Sequence, residues 1–328
     1  MDLMENLQSA VANLTSPAVL FFLMGMLAGA ARSELSLPDQ AAKTLSLYLM
    51  LAIGFKGGAA ARAAGMEPQF LLLGAIGLLL SFAIPFIAFA LLRCISKLDR
   101  ATAAATAAHY GSVSIVTFAA GAEYLSAMRV SFDGFMAAVL ALMETPAILA
   151  ALIIVGRSTE STEPAHRKSD LVREVFLNGA TVMLVGAFVV GAISGPAGLA
   201  KLDVFVNPLF QGALCLFLLD MGLVAARQLR NANQIEVRLL AFALIFPVAA
   251  GIAGALLARM VGADFGNGVL FAILAASASY IAVPAAMRIS MPKADAGVYL
   301  TLSLGVTFPF NLVIGIPMYL IVATGIWS

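Results

Sequence analysis

Ten apolar segments, spaced along the whole chain, constrain its fold more than any other feature. A helix needs roughly 20 residues to cross about 30 Å of hydrocarbon at 1.5 Å per residue. The segments fall at 16–31, 44–61, 69–92, 101–121, 132–155, 173–194, 204–226, 238–260, 267–287 and 296–325. Only 11% of the residues are charged, against about a quarter in a soluble domain, so the expected class is an all-α integral membrane protein. The last segment carries Pro309 and Pro317 and is expected to bend, since proline removes a helix hydrogen bond and crowds the preceding turn.

The same composition excludes several functions. A net charge of +1 with no long basic run gives nothing for nucleic-acid phosphates to bind. Cys94 and Cys215 show no CxxC spacing, and two histidines build no conventional zinc site. The first residues hold two acids and no Lys or Arg, unlike a cleavable signal, so the first apolar run is expected to stay as a helix.

Loop cations orient the chain. One set of alternate loops holds 14 of them: Arg32, Lys43, Arg93, Lys97, Arg100, Arg157, Arg167, Lys168, Arg173, Arg227, Arg230, Arg238, Arg288 and Lys293. The other set holds 4, namely Arg62, Arg129, Lys201 and Arg259. This bias predicts a multi-pass protein of the plasma or inner membrane with both termini outside and a cytoplasmic polar linker at 157–172.

The halves on either side of that linker, 1–156 and 173–328, align at an offset near 165 residues. Leu49 to Arg62 matches Leu214 to Arg227, and Pro146 of METP matches Pro309 of VTFP. With five spans in each half, the second lies upside down relative to the first, the inverted-repeat plan of secondary transporters.

Two matched stretches interrupt this pattern near mid-membrane. Gly111-Ser112-Val113-Ser114 and Ser277-Ala278-Ser279-Tyr280 place hydroxyls and a glycine inside apolar spans. Broken backbone at that depth is tolerated only where it is buried in protein or lines a cavity. Gly111 would leave helical geometry and the serines would cap the resuming helices, aiming free N–H groups at a small anion. The predicted anion site is therefore the two stretches together, with Val113 and Ala278 contributing backbone and Tyr280 a hydroxyl. Glu144 and Thr145, with Thr307 and Asn311 of the equivalent span, supply oxygens suited to Na⁺, and Ser114, Thr117 and Ser279 could complete the shell. Lys56 and Asp220 are expected to reach toward the interfaces, and His109 to be satisfied locally.

The motifs HYGSVSIVTF at 109–118, ASASYIAVPAAMR at 276–288 and METP at 143–146 resemble the sodium-dependent bicarbonate transporter family across nearly the whole chain. The resemblance implies a core domain of spans 3–5 and 8–10 containing two crossed discontinuous helices, and a gate domain of spans 1, 2, 6 and 7. It implies a homotrimer, Na⁺-coupled bicarbonate uptake with substrate at Gly111, Ser112, Ser114, Thr117, Ser277 and Ser279, and in some members a PII-like cytoplasmic regulator. No cofactor is expected beyond Na⁺ as coupling ion. The alternative within transporters is another small organic monoanion, such as a bile-acid-like carboxylate or a keto acid. An enzyme is not expected: Ser112 with His109 is the nearest nucleophile and base, and no third group orients them. A channel or structural membrane protein would not require paired breaks.

Overall fold

The structure, a computed structural model, describes residues 11, 13–65, 68–156, 179–231 and 235–328. The linker at 157–172 and the start of the expected sixth span lie outside the described residues. Regular structure among the described residues is helical: α1 Pro17–Ala30, α2 Asp39–Ala64, α3 Pro68–Ile95, α4 Arg100–Gly111, α5 Ile115–Ala127, α6 Met136–Glu144 and α7 Pro146–Gly156 in the first half. The second half holds α8 Gly179–Lys201, α9 Asp203–Val206, α10 Pro208–Asn231, α11 Val237–Met260, α12 Phe265–Ala276, α13 Ala282–Ser290 and α14, the continuous run Ala296–Trp327.

Among the described residues, seven helical runs are long and apolar enough to cross a membrane. The other three expected segments differ for identifiable reasons. The first is a helix of only 14 residues, while the fourth and ninth are interrupted at 112–114 and 277–281. The sixth runs to its expected end at 194, where Gly195 turns the chain out of helical geometry at φ 60°; a second short helical stretch then follows from Pro196 to Lys201. Only glycine adopts that geometry without strain.

Two long helix pairs are held by glycine. α2 packs on α8 and α1 on α10, and in each pair a missing Cβ lets backbones touch. A Cβ at Gly25 would strike the Leu219 carbonyl, and one at Gly222 the Phe22 carbonyl. In the other pair, Gly58 lies against the Phe188 carbonyl and Gly191 against that of Phe55. Lipid tails give no hydrophobic drive between helices, so close dispersion contact of this kind supplies the packing. The remaining helices form a second set in which α3 packs on α4 and α11 on α12.

Prolines inside this second set release carbonyls, and hydroxyls take them up. Pro247 in α11 cannot donate to Ala243 four residues back, and the Thr307 hydroxyl donates to that carbonyl at 2.7 Å. The METP segment breaks between α6 and α7 at Thr145. Beside it, Ser81 Oγ donates to the Met143 carbonyl at 2.7 Å and Ser112 Oγ to the Glu144 carbonyl at 2.9 Å. α14 answers Pro309 and Pro317 with two π-helical stretches, Thr301–Thr307 and Asn311–Gly315. The expected bend thus takes the form of wider turns.

Candidate functional site

α4 stops at Gly111, and Ser112 to Ser114 continue in extended geometry, Ser112 at φ −91° and ψ 167°. Ser114 then caps α5: its Oγ accepts from the Thr117 amide at 3.1 Å and from the Thr117 hydroxyl at 3.0 Å. Gly111 has a different role from the conformational freedom expected of it. It is the last helical residue, and a Cβ there would collide with the Pro85 ring and lie 2.9 Å from the Ser81 carbonyl. The glycine is needed for close approach.

The second break is longer and less regular. Ser277 is extended at φ −79° and ψ 161°, and the chain regains helix only at Ala282, with no side-chain cap from Ile281. Ser279 Oγ lies 3.5 Å from the Val283 amide, so its capping is weaker than that of Ser114. The two helices resume with first-turn N–H groups that have no partner within the helix.

The breaks hold one another. The Ser114 amide donates to Ser277 Oγ at 2.9 Å, that hydroxyl donates to the Leu274 carbonyl at 2.8 Å, and the Ser279 amide donates to the His109 carbonyl at 2.8 Å. In each break the second serine spends its amide on the other stretch. Gly111, Ser112, Val113, Ser114, Thr117, Ser277, Ala278, Ser279 and Tyr280 are all buried. The Tyr280 and Phe308 rings meet at a 55° tilt with centroids 4.9 Å apart, and the Tyr280 hydroxyl lies toward that of Ser114 without a hydrogen bond.

The other oxygens expected around Na⁺ divide into two groups. Asn311 in α14 donates to the Ala276 carbonyl at the end of α12, 2.8 Å away, and accepts from the Tyr319 hydroxyl at 3.0 Å. Thr307 meets the Tyr110 hydroxyl at 2.8 Å, so α14 is tied to both interrupted helices. The Glu144 carboxylate instead receives the Thr181 hydroxyl of α8 at 2.9 Å. Only the Glu144 carbonyl is bound to the serine stretch, through Ser112. Lys56 sits with its ammonium 5.2 Å above the Phe210 ring, and Asp220 is buried, so neither simply reaches for solvent.

Two cavities flank α5. One of about 230 Å³ is lined by Lys56, Gly57, Glu123, Asp133 and Phe210. The other, about 310 Å³, is lined by Asn13, Glu123, Tyr124, Gln211 and Cys215. Glu123 stands between them and accepts from Gln211 at 2.8 Å. At the opposite end of α10, Gln228 is packed against α14, its Cβ 3.2 Å from the position a Cβ on Gly305 would take.

Sequence reasoning missed one matched pair of contacts. The Asp295 amide donates to Thr102 Oγ1 at 2.9 Å, and the Asp133 amide donates to Asn267 Oδ1 at 2.8 Å. Thr102 and Asn267 are 165 residues apart, Asp133 and Asp295 are 162 apart. Each interrupted helix is thus braced near its start by the loop following the other one. The signal was available as polar residues recurring at the repeat offset, but they lie at span ends, where polarity is unremarked. Among the described residues no group of three or more His, Cys, Asp or Glu could hold a metal ion.

Comparison with curated proteins gives no match. The Na⁺-dependent bicarbonate transporter superfamily matches residues 17–324, nearly the whole chain, and the chain belongs to that superfamily.

Proposed function

From that membership we propose that the chain is a sodium-coupled symporter that imports bicarbonate by alternating access. The observation that carries the reading is the pair of broken helices whose serine amides are exchanged at one buried point, Ser114 to Ser277 and Ser279 to His109. Such a crossing presents unspent helix N-termini and hydroxyls together, the arrangement that suits a small anion and a hard cation. Its burial favours an ion as small as bicarbonate over a bile-acid-like or keto-acid carboxylate.

The architecture we assign is ten spans in two inverted repeats, 1–156 and 173–328, joined by 157–172. Support comes from the crosswise braces at Thr102 and Asn267 and from the reciprocal glycine pairs. In this assignment α3 to α7 and α11 to α14 form the core, and α1, α2, α8, α9 and α10 form the gate. The site is proposed at Gly111, Ser112, Val113, Ser114, Ser277, Ala278, Ser279 and Tyr280 for the anion. Ser114, Thr117, Glu144, Ser279, Thr307 and Asn311 are proposed for Na⁺. The Thr181 hydroxyl on the Glu144 carboxylate couples this core residue to a gate helix.

With the termini outside an inner membrane, the two cavities beside α5 lie on the outer side, and the contact of Gln228 with α14 closes the inner one. Rocking of core against gate would exchange the two. A homotrimer is the assembly proposed, and a PII-like regulator would approach the cytoplasmic linker.

The test is uptake of radiolabelled bicarbonate into proteoliposomes at fixed pH, with and without an inward Na⁺ gradient. Saturable, sodium-dependent accumulation supports the reading. Absence of accumulation overturns the substrate and directs screening to small carboxylates, keto acids first.

A further inference from the structure

Two buried side-chain polar atoms among the described residues have no hydrogen-bond partner, His109 Nε2 and the Tyr280 hydroxyl. They belong to the two serine-bearing stretches, one on each. His109 is wholly buried, and its Nδ1 lies 2.7 Å from the Ala105 carbonyl. A carbonyl oxygen only accepts, so Nδ1 carries the proton of the neutral ring and Nε2 presents a lone pair. The neighbouring aromatic does not fill it: the Tyr299 ring is stacked parallel to His109 at 4.5 Å, and the Tyr299 hydroxyl faces Arg288. The Tyr280 hydroxyl, which can donate as well as accept, makes no hydrogen bond although it lies toward the Ser114 hydroxyl; to an anion it would donate. An orphaned buried polar group is rare and costly, and here one occurs on each of the two stretches that exchange backbone bonds.

We propose that His109 Nε2 accepts the O–H of bound bicarbonate, making His109 a specificity-determining residue that distinguishes a hydroxylated monoanion from one without a proton to donate. The proposal rests on the bicarbonate reading above. Bicarbonate carries two carboxylate oxygens for the helix amides and the Tyr280 hydroxyl, and one O–H. Formate shares the carboxylate and lacks the O–H, and nitrate shares the shape and charge and lacks it too. A site built to pair a substrate hydroxyl rejects the analogue without it far more strongly than a shape-fitted pocket does, because its own polar group is left unpaired. The Tyr299 stack and the Ala105 bond hold the ring so that its tautomer is set before the ligand arrives.

The experiment measures inhibition of sodium-driven bicarbonate uptake by formate and by nitrate, and the KM for bicarbonate, in the wild type and in His109→Phe and His109→Gln. Phe keeps the aromatic stack and has no acceptor, whereas Gln retains one. The expected result is that wild type prefers bicarbonate over both analogues by roughly 100-fold or more. His109→Phe raises the bicarbonate KM about 10-fold to 100-fold with formate inhibition unchanged, and His109→Gln restores most of the preference. An unchanged bicarbonate KM in His109→Phe overturns the proposal. Should that variant not fold, wild-type inhibition by formate at concentrations equal to bicarbonate overturns it alone. Failure of the bicarbonate reading itself is separate, since wild type would then show no sodium-driven uptake at all.

Discussion

Replacing Asn267 with Leu tests whether the two halves brace one another as described. The side chain is fully buried. Its Oδ1 accepts the Asp133 amide at 2.8 Å, its Nδ2 donates to Asp133 Oδ2 at 2.6 Å, and a longer bond reaches Gln69 Oε1 at 3.5 Å. A neutral hydrogen bond nets about 1 kcal/mol and one to a charged group about 1.5–3 kcal/mol, so losing the two short bonds costs about 2.5–4 kcal/mol. Leucine matches asparagine closely enough in size that cavity terms stay small. The equivalent change, Thr102→Val, removes the bond to the Asp295 amide at 2.9 Å and a contact with exposed Asp99, for about 1–2 kcal/mol. The assay is reversible unfolding in mixed micelles titrated with sodium dodecyl sulfate. Because the two braces share no partner, the double variant should equal the sum of the singles within about 0.5 kcal/mol. An Asn267→Leu cost below about 1 kcal/mol would refute the reasoning, as would a strong positive coupling between the two sites.

Three further outcomes follow from the same geometry. Ser114→Leu and Ser279→Leu should each abolish sodium-driven uptake while leaving size-exclusion elution unchanged; retained uptake in either counts against the crossing as the site. Gly111→Ala should destabilise by about 1–3 kcal/mol through overpacking against the Pro85 ring, in the same unfolding assay, while Gly156→Ala, with nothing within 4 Å of its Cβ, should not. At Asp99, burial raises the carboxyl pKa, but the Thr102 hydroxyl and the amides of Thr102 and Ala101 outweigh it and hold the group below its ordinary value. Its contribution to stability is present above the ordinary carboxylate pKa and lost as pH falls through the depressed one. Asp99→Asn should therefore flatten the acid limb of a stability profile measured between about pH 5 and pH 3.

The apolar periodicity made the membrane class legible, and the serine-rich interruptions made the breaks legible, because polar residues are conspicuous in hydrocarbon. What stayed hidden was the use each residue is put to. Gly111 reads as a residue freed from helical geometry, yet the Pro85 ring, 26 residues earlier, dictates it through van der Waals contact. Glu144 reads as an intramembrane carboxylate in need of a partner, but that the partner is Thr181, from a helix beyond the linker, is visible only in the structure. Local pattern cannot encode which distant helix arrives at a side chain. The prolines are an intermediate case. Pro247 can be marked as a carbonyl-releasing position from sequence alone, but that Thr307 comes to that carbonyl follows only from packing.

In the proposed mechanism, the energetic reason for coupling two ions at the crossing lies in the bonds already spent there. Ser114 and Ser279 have committed their amides to holding the breaks together, so the anion must be stabilised by what remains: first-turn amides, hydroxyls and a neighbouring charge. Two opposite unit charges about 5 Å apart at an effective dielectric near 20 attract by about 3 kcal/mol, roughly a 100-fold change in affinity, and by linkage each ion gains it from the other. Helix N-termini offer about 0.3–2 kcal/mol each, so the cation outweighs either dipole. A bicarbonate site of this construction is therefore weak without Na⁺ and tight with it. The proposed cation ligands Asn311 and Thr307 sit on α14, which hydrogen-bonds to the end of α12 and to Tyr110 of α4. On the proposed assignment, filling that shell would fix the last helix against both broken ones, so that the core could move against the gate as one body.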